Sequence, residues 1–155
     1  MTDEPTAELT GHAGELAVAV AHGADAIGVL GRSPHLGRNE LTVLLDVIAD
    51  RLLAPVDEPF GHGEPDRMAL ATMTLLRRNV VPLTLVEPWV ARIAAAAEHA
   101  SDPETDPFLS TANAQAFLRA LYLQLAIAPS PPDIRPDLLL VLVSALRTTN
   151  PSYLS

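Results

Sequence analysis

The stretch Asn39-Glu40-Leu41-Thr42-Val43-Leu44-Leu45-Asp46-Val47-Ile48-Ala49-Asp50-Arg51-Leu52-Leu53-Ala54, stopped by Pro55, decides the class of fold. Leu41, Leu44, Leu45, Ile48 and Leu52 recur at steps of three and four, so at 100° per residue they share one side of a helix. Asn39 is a good N-cap for it and Pro55 a stop.

The same period continues on both sides. A first helix is predicted from Ala7 to Leu30, with Leu9, Leu16, Val20 and Ile27 as an apolar stripe and Glu8, His12, Glu15 and His22 as a polar one. Gly14, Ala21 and Gly28, spaced by seven, form a third stripe of small residues that lets another helix approach closely. Each internal glycine costs about 1 kcal/mol of helix propensity, so either packing offsets that cost or the helix breaks. A third helix is predicted over Asp66–Arg78, with Met68, Ala71, Thr72 and Leu75 inward. The fourth opens either on a Thr84/Glu87 capping box or with Pro88 as its first residue, and buries Trp89, Val90, Ile93, Ala97 and Ala100. The fifth starts near Ser110 or Thr111 and buries Ala114, Phe117, Leu118, Leu121 and Leu125. From Pro136 the chain reads Leu138-Leu139-Leu140-Val141-Leu142-Val143 without a polar break. As a helix this run is apolar on every side and belongs in the middle of the fold, and a buried strand fits 138–143 as well.

Residues 55–65, 101–107 and 128–136 carry proline, and in the first of them glycine, in place of periodicity, and read as loops. No internal repeat and no shift of composition divides the chain. The expectation is an all-α, single-domain bundle of five to six helices over residues 1–155, with a buried hydrophobic C-terminal helix and loose ends at 1–6 and 150–155.

Composition agrees. With 155 residues and 48% apolar side chains, the chain can bury a core without a metal or a disulfide. Only 4% are aromatic, so that core is aliphatic, which suits helices better than sheets. The formal charge is −9, which repels nucleic acid phosphates and anionic lipid. All basic residues are arginine and none is cysteine, which removes disulfides, thiol nucleophiles and zinc–thiolate sites. No apolar run reaches the roughly 18–20 residues of a membrane span, and the start lacks a basic region and apolar run of the secretory kind, so the expected location is cytoplasmic.

Two places carry chemistry worth testing. Gly31-Arg32-Ser33-Pro34-His35-Leu36-Gly37-Arg38-Asn39 gathers Arg32, Ser33, His35 and Arg38 before a helix N-terminus, where free N–H groups and two guanidiniums suit a carboxylate or phosphate. Against this stands a helix stop at Gly31, a Ser-Pro turn and solvated arginines. The second place is the Gly14/Ala21/Gly28 face, read as a contact with a second copy or another protein. Arg77-Arg78 is read as charge that suits a helix C-terminus. The His12/Glu15/His22 stripe lacks the paired Glu-x-x-His of di-iron bundles, so no metal and no cofactor are expected. Gly31-Arg32-Ser33 lacks the second glycine of a nucleophile elbow, and no catalytic residue is assigned. The leading expectation is a noncatalytic interaction or accessory module that self-associates through the first helix. The alternative is a binder of a small anionic ligand, or an enzyme acting on one, at residues 31–39.

Overall fold

In the computed structural model, residues 23–55, 58–61, 63–98 and 107–154 are described, and among them every regular element is helical, with no strand. Helix α1 occupies 23–31, α2 Arg38–Leu53, α3 Glu64–Leu76, α4 Leu83–Glu98, α5 Pro107–Ile127, α6 Arg135–Thr149, and α7 is the short Pro151–Leu154. The stretch 138–143 is helix. The first helix before residue 23, and with it Gly14 and Ala21, lies outside the described residues, as do residues 1–6.

The apolar stripes read from the sequence form the core. Leu41, Leu45, Ile48 and Leu52 of α2, Phe117, Leu118, Leu121 and Leu125 of α5, and Leu138, Leu142 and Leu146 of α6 are all buried. The most enclosed helix is α3, which buries Met68, Ala69 and every residue from Ala71 to Leu76. Two threonines are tolerated there because their hydroxyls donate back to Met68 O (2.9 Å) and Leu70 O (3.1 Å). The C-terminal helix α6 buries one row of side chains and leaves Leu140 70% exposed, so the central place expected for it belongs to α3. The cause is topology: α6 has neighbours on its inner side only.

Helix ends differ from expectation in identifiable ways. The N-cap of α2 is Gly37, and Glu40 at the third helical position accepts its N–H at 2.9 Å, so Asn39 lies inside the first turn. Helix α3 opens at Glu64 with Pro65 in its first turn, two residues earlier than Asp66. Helix α4 is already wound at Leu83, because Leu85 N–H and Val86 N–H both donate to Pro82 O, and Pro88 therefore sits inside the helix. Its ring removes the donor for the Thr84 carbonyl, a loss the exposed outer side of α4 tolerates. Helix α5 begins at Pro107, ahead of Ser110. Asn150 is buried and bonded to Arg119, and the tail beyond it makes a turn of helix.

Cross-chain bonds fix the topology. Gly28 lies against Ala71 and Gly31 against Leu75, so α1 runs alongside α3 in the same direction. Gln124 reaches Asp66 O and Arg77 reaches Ser130 O, which sets α5 parallel to α3. Arg38 to Val80 O, Trp89 to Leu45 O and Arg92 to Asp50 do the same for α2 and α4. Arg135 to Ala126 O and Gln115 to Thr149 O make α6 antiparallel to α5. The result is two layers of helices running in opposite directions, α1, α3 and α5 in one and α2, α4 and α6 in the other, with α4 packed on α5 and not on its chain neighbour α3. The short turns 32–37, 77–82 and 128–134 lie along one edge.

Trp89 ties the layers together. Its indole N–H donates to Leu45 O at 2.8 Å, and its ring meets Phe117 edge-on at 5.8 Å between centroids. Replacing Trp89 by Phe removes that bond and leaves a small void, so unfolding in urea is expected to show a loss of about 1–3 kcal/mol with helical content unchanged.

Candidate functional site

The turn edge is built by arginines that reach backbone carbonyls. Helix α1 stops at Gly31, and Ser33 N–H donates to Leu30 O at 3.0 Å as the chain turns. Ser33 Oγ accepts the His35 N–H at 3.4 Å, and Ser33 O accepts the Leu36 N–H at 3.2 Å, a local Ser-Pro turn. Three carbonyls of this turn, Ser33 O among them, converge on one side chain. Half-buried Arg78, just past the end of α3, donates from one terminal nitrogen to Gly31 O (3.0 Å) and Ser33 O (2.6 Å), and from the other to Leu36 O (2.9 Å). A planar guanidinium has the donors for this fork, and its charge suits the C-terminal end of α1.

The same device recurs along the edge. Arg38 Nε donates to Val80 O at 3.0 Å, joining the first turn to the second. Arg77 Nε donates to Ser130 O at 2.8 Å, joining the second to the third. Asn79 adopts φ 57°, a left-handed conformation that asparagine tolerates better than most residues. That conformation ends α3 and turns Asn79 Oδ1 to accept the Asp133 N–H at 2.9 Å.

Between the second and third turns lies a cleft of about 550 Å³. Leu76, Val80, Val81, Pro82 and Ile134 make its apolar walls, and Arg38, Asn79 and Asp133 bring polar groups to it. Of the four residues expected to hold an anion, the structure takes Arg38 to the cleft. Arg32 and His35 are exposed on the loop outside that lining, and Arg32 has no ion pair or side-chain hydrogen bond among the described residues. Ser33 serves the turn. Sequence reading missed Arg78, taken there as charge at a helix end; the available signal was an arginine pair followed by Asn79, a residue suited to the left-handed stop.

Of the small-residue face, Gly28 is described. A Cβ there would come 4.0 Å from Ala71 Cα, so at this position the close helix approach is made by α3 of the same chain. The histidine–carboxylate stripe lies outside the described residues, and among those described no three His, Asp or Glu residues group as metal ligands. Glu64, buried at the start of α3, has one carboxylate oxygen without a hydrogen-bond partner, as does the amide oxygen of Gln124. No described helix is long and apolar enough to cross a membrane.

One family model, described as "Protein of unknown function (DUF2785)", matches residues 12–123, well over half of the chain. No curated protein and no solved structure matches it.

Because Arg78 bonds three carbonyls of the turn, Arg78→Ala is expected to cost about 2–4 kcal/mol and to speed amide exchange at residues 31–38. Arg32→Ala, whose exposed side chain has no partner among the described residues, should stay within about 0.5 kcal/mol. Equal effects from the two would show that the fork does not hold the edge.

Proposed function

The chain belongs to the DUF2785 family, and we propose that it acts as a noncatalytic protein-interaction module. The observation that carries this reading is a frame held in register by arginine-to-carbonyl bonds whose helices leave large aliphatic side chains in solvent: Val29 at 66%, Leu70 at 53%, Ile127 at 71% and Leu140 at 70% exposed. Layered helices offer preformed surfaces of this kind to other chains, and apolar groups exposed on a stiff frame favour partners that cover them. Self-association through the first helix belongs to the same reading. With Gly28 already against Ala71, it rests on Gly14 and Ala21, and Gly14→Leu or Ala21→Leu is expected to change the oligomeric mass.

A second reading, binding of a small anionic ligand, is favoured by the cleft beside Arg38. Its apolar walls suit a ligand with a hydrophobic body, and the guanidinium suits a carboxylate or phosphate on it.

Light scattering together with cross-linking mass spectrometry tests the first reading. A stoichiometric partner or a mass above the monomer is expected, and a solitary monomer that cross-links to nothing counts against it. For the second, carboxylates and nucleotides are expected to raise the melting temperature by a few degrees in the native chain and in Arg32→Ala but not in Arg38→Ala. An absence of any shift removes that reading.

A further inference from the structure

The cleft between the second and third turns carries two charges of opposite sign that do not meet. Its floor is apolar: Leu76 and Val81 are buried, and Val80, Pro82 and Ile134 are half-buried around them. Its rim is polar, with Arg38, Asn79 and Asp133 all exposed. Two bonds fix where these rim groups stand. Arg38 Nε donates to Val80 O at 3.0 Å, which pins the guanidinium on the α2 side of the segment 79–82. Asn79 Oδ1 accepts the Asp133 N–H at 2.9 Å, which sets Asp133 on the α6 side of the same segment.

Both charges keep unused bonding capacity. Among the described residues the terminal nitrogens of Arg38 have no hydrogen-bond or ion-pair partner, the Asp133 carboxylate has none, and the two form no ion pair with each other. The amide N–H groups of Asn79 are likewise unbonded there. The neighbouring charges are engaged elsewhere: Arg77 on Ser130 O, Arg78 on the first turn, Arg135 on Ala126 O and Glu40 on the Gly37 N–H. Exposed Arg32 and Asp137 stand outside the lining.

Such a pair of walls selects by charge. A lone carboxylate or phosphate drawn to Arg38 meets the like charge of Asp133 on the facing rim, and the −9 of the whole chain behind it. A lone ammonium drawn to Asp133 meets the guanidinium. A molecule that carries both charges satisfies both walls and adds no net charge, while its apolar body covers the floor.

We propose that the cleft binds a small zwitterion with an apolar body, an aliphatic amino acid or a dipeptide of such residues. Its carboxylate takes the terminal N–H groups of Arg38, a paired geometry that a guanidinium offers even with Nε engaged, and its ammonium takes Asp133. The Asn79 amide is placed to donate to a ligand carbonyl. The volume of about 550 Å³ lies within the roughly 300–1,000 Å³ of small-molecule sites. This inference rests on the anionic-ligand reading of the cleft: it keeps the carboxylate on Arg38 and adds the cation.

Isothermal titration of the full chain tests it with probes that share one aliphatic body: leucine, leucyl-leucine, isocaproate, which lacks the ammonium, and isoamylamine, which lacks the carboxylate. Leucine or leucyl-leucine is expected to bind saturably, about tenfold or more tightly than either singly charged analogue. The tighter of the two tells a free amino acid from a peptide. Because Arg38 also holds Val80 O, the decisive variant is Asp133→Asn, whose side chain bonds nothing in the native chain among the described residues. It is expected to weaken the zwitterion about tenfold and to leave isocaproate no weaker, since it removes a like charge from that probe. Arg38→Ala is expected to do the reverse, losing the zwitterion and isocaproate while isoamylamine binds no more weakly. A uniform loss of every probe in Asp133→Asn overturns the role given to Asp133. If isocaproate binds as tightly as leucine and leucyl-leucine, or if none of the four probes binds while a nucleotide raises the melting temperature through Arg38, the zwitterion is wrong and the anionic-ligand reading stands. If neither these probes nor any nucleotide has an effect, both fall.

Discussion

Everything else in this architecture depends on how the three short turns are kept abreast. A helix that ends leaves carbonyls without donors, and a turn that follows closely adds more. Gly31, Ser33 and Leu36 present theirs in a small space, and a single guanidinium from the end of α3 bonds all three. Because Arg78 belongs to the end of α3, satisfying α1's carbonyls also fixes the axial position of α1 against α3. Arg38 on Val80 O and Arg77 on Ser130 O repeat the device between successive turns. Apolar packing alone would allow helices with Ala- and Leu-rich faces to slide; charged donors on fixed carbonyls set the register. This gives the all-arginine basic complement a physical use, since lysine lacks the planar fork that bridges carbonyls of one turn.

The register set at the edge reaches the far end of the stack through Trp89. Its indole bond to Leu45 O holds α4 to the middle of α2, and the edge-on contact with Phe117 carries the constraint to α5. A large aromatic with one polar atom is costly to bury unless that atom finds a partner, and the mid-helix carbonyl of Leu45 supplies it. The site at the turns and the outer face of the second layer are therefore two views of one rigid frame.

What the sequence showed and what it hid divide along this line. Period and composition identified the helices, and the stripes at Leu41–Leu52, Met68–Leu75 and Ala114–Leu125 are the core, because burial follows local pattern when one side of a helix is apolar. Trp89 was readable as core for the same reason. The N-cap of α2 was displaced to Gly37 because Glu40 reaches back to it, a bond that depends on a side-chain rotamer rather than on residue type at the cap. The two openings the sequence offers for α4, a Thr84/Glu87 capping box or Pro88 as first residue, both lie inside a helix that begins at Leu83, since an exposed outer side tolerates the donor that Pro88 lacks. The three carbonyls of Arg78 come from residues more than forty positions away, and no local window contains them. Of the anion loop, Arg38 went to the cleft because Val80 O drew it there, while Arg32 and His35 stayed on the surface of the turn.

The chain shows no sequence repeat, yet it builds a repeated structure, and the two facts are compatible. Such layers need each helix to bury one face against its neighbours and each turn to end at the same level. Different side chains meet those demands: Gly28 against Ala71 gives α1 its close approach, and Gln124 on Asp66 O holds α3 to α5. One motif repeated at every turn is unnecessary where the bond that sets register is new each time. The outer surface has no such requirement, since nothing inside the chain needs large aliphatic side chains there. Solvent-facing leucines scattered singly would call for no explanation. Val43 and Leu140, both on the side opposite the core of their helices, are therefore surface that the packing of the two layers leaves unused.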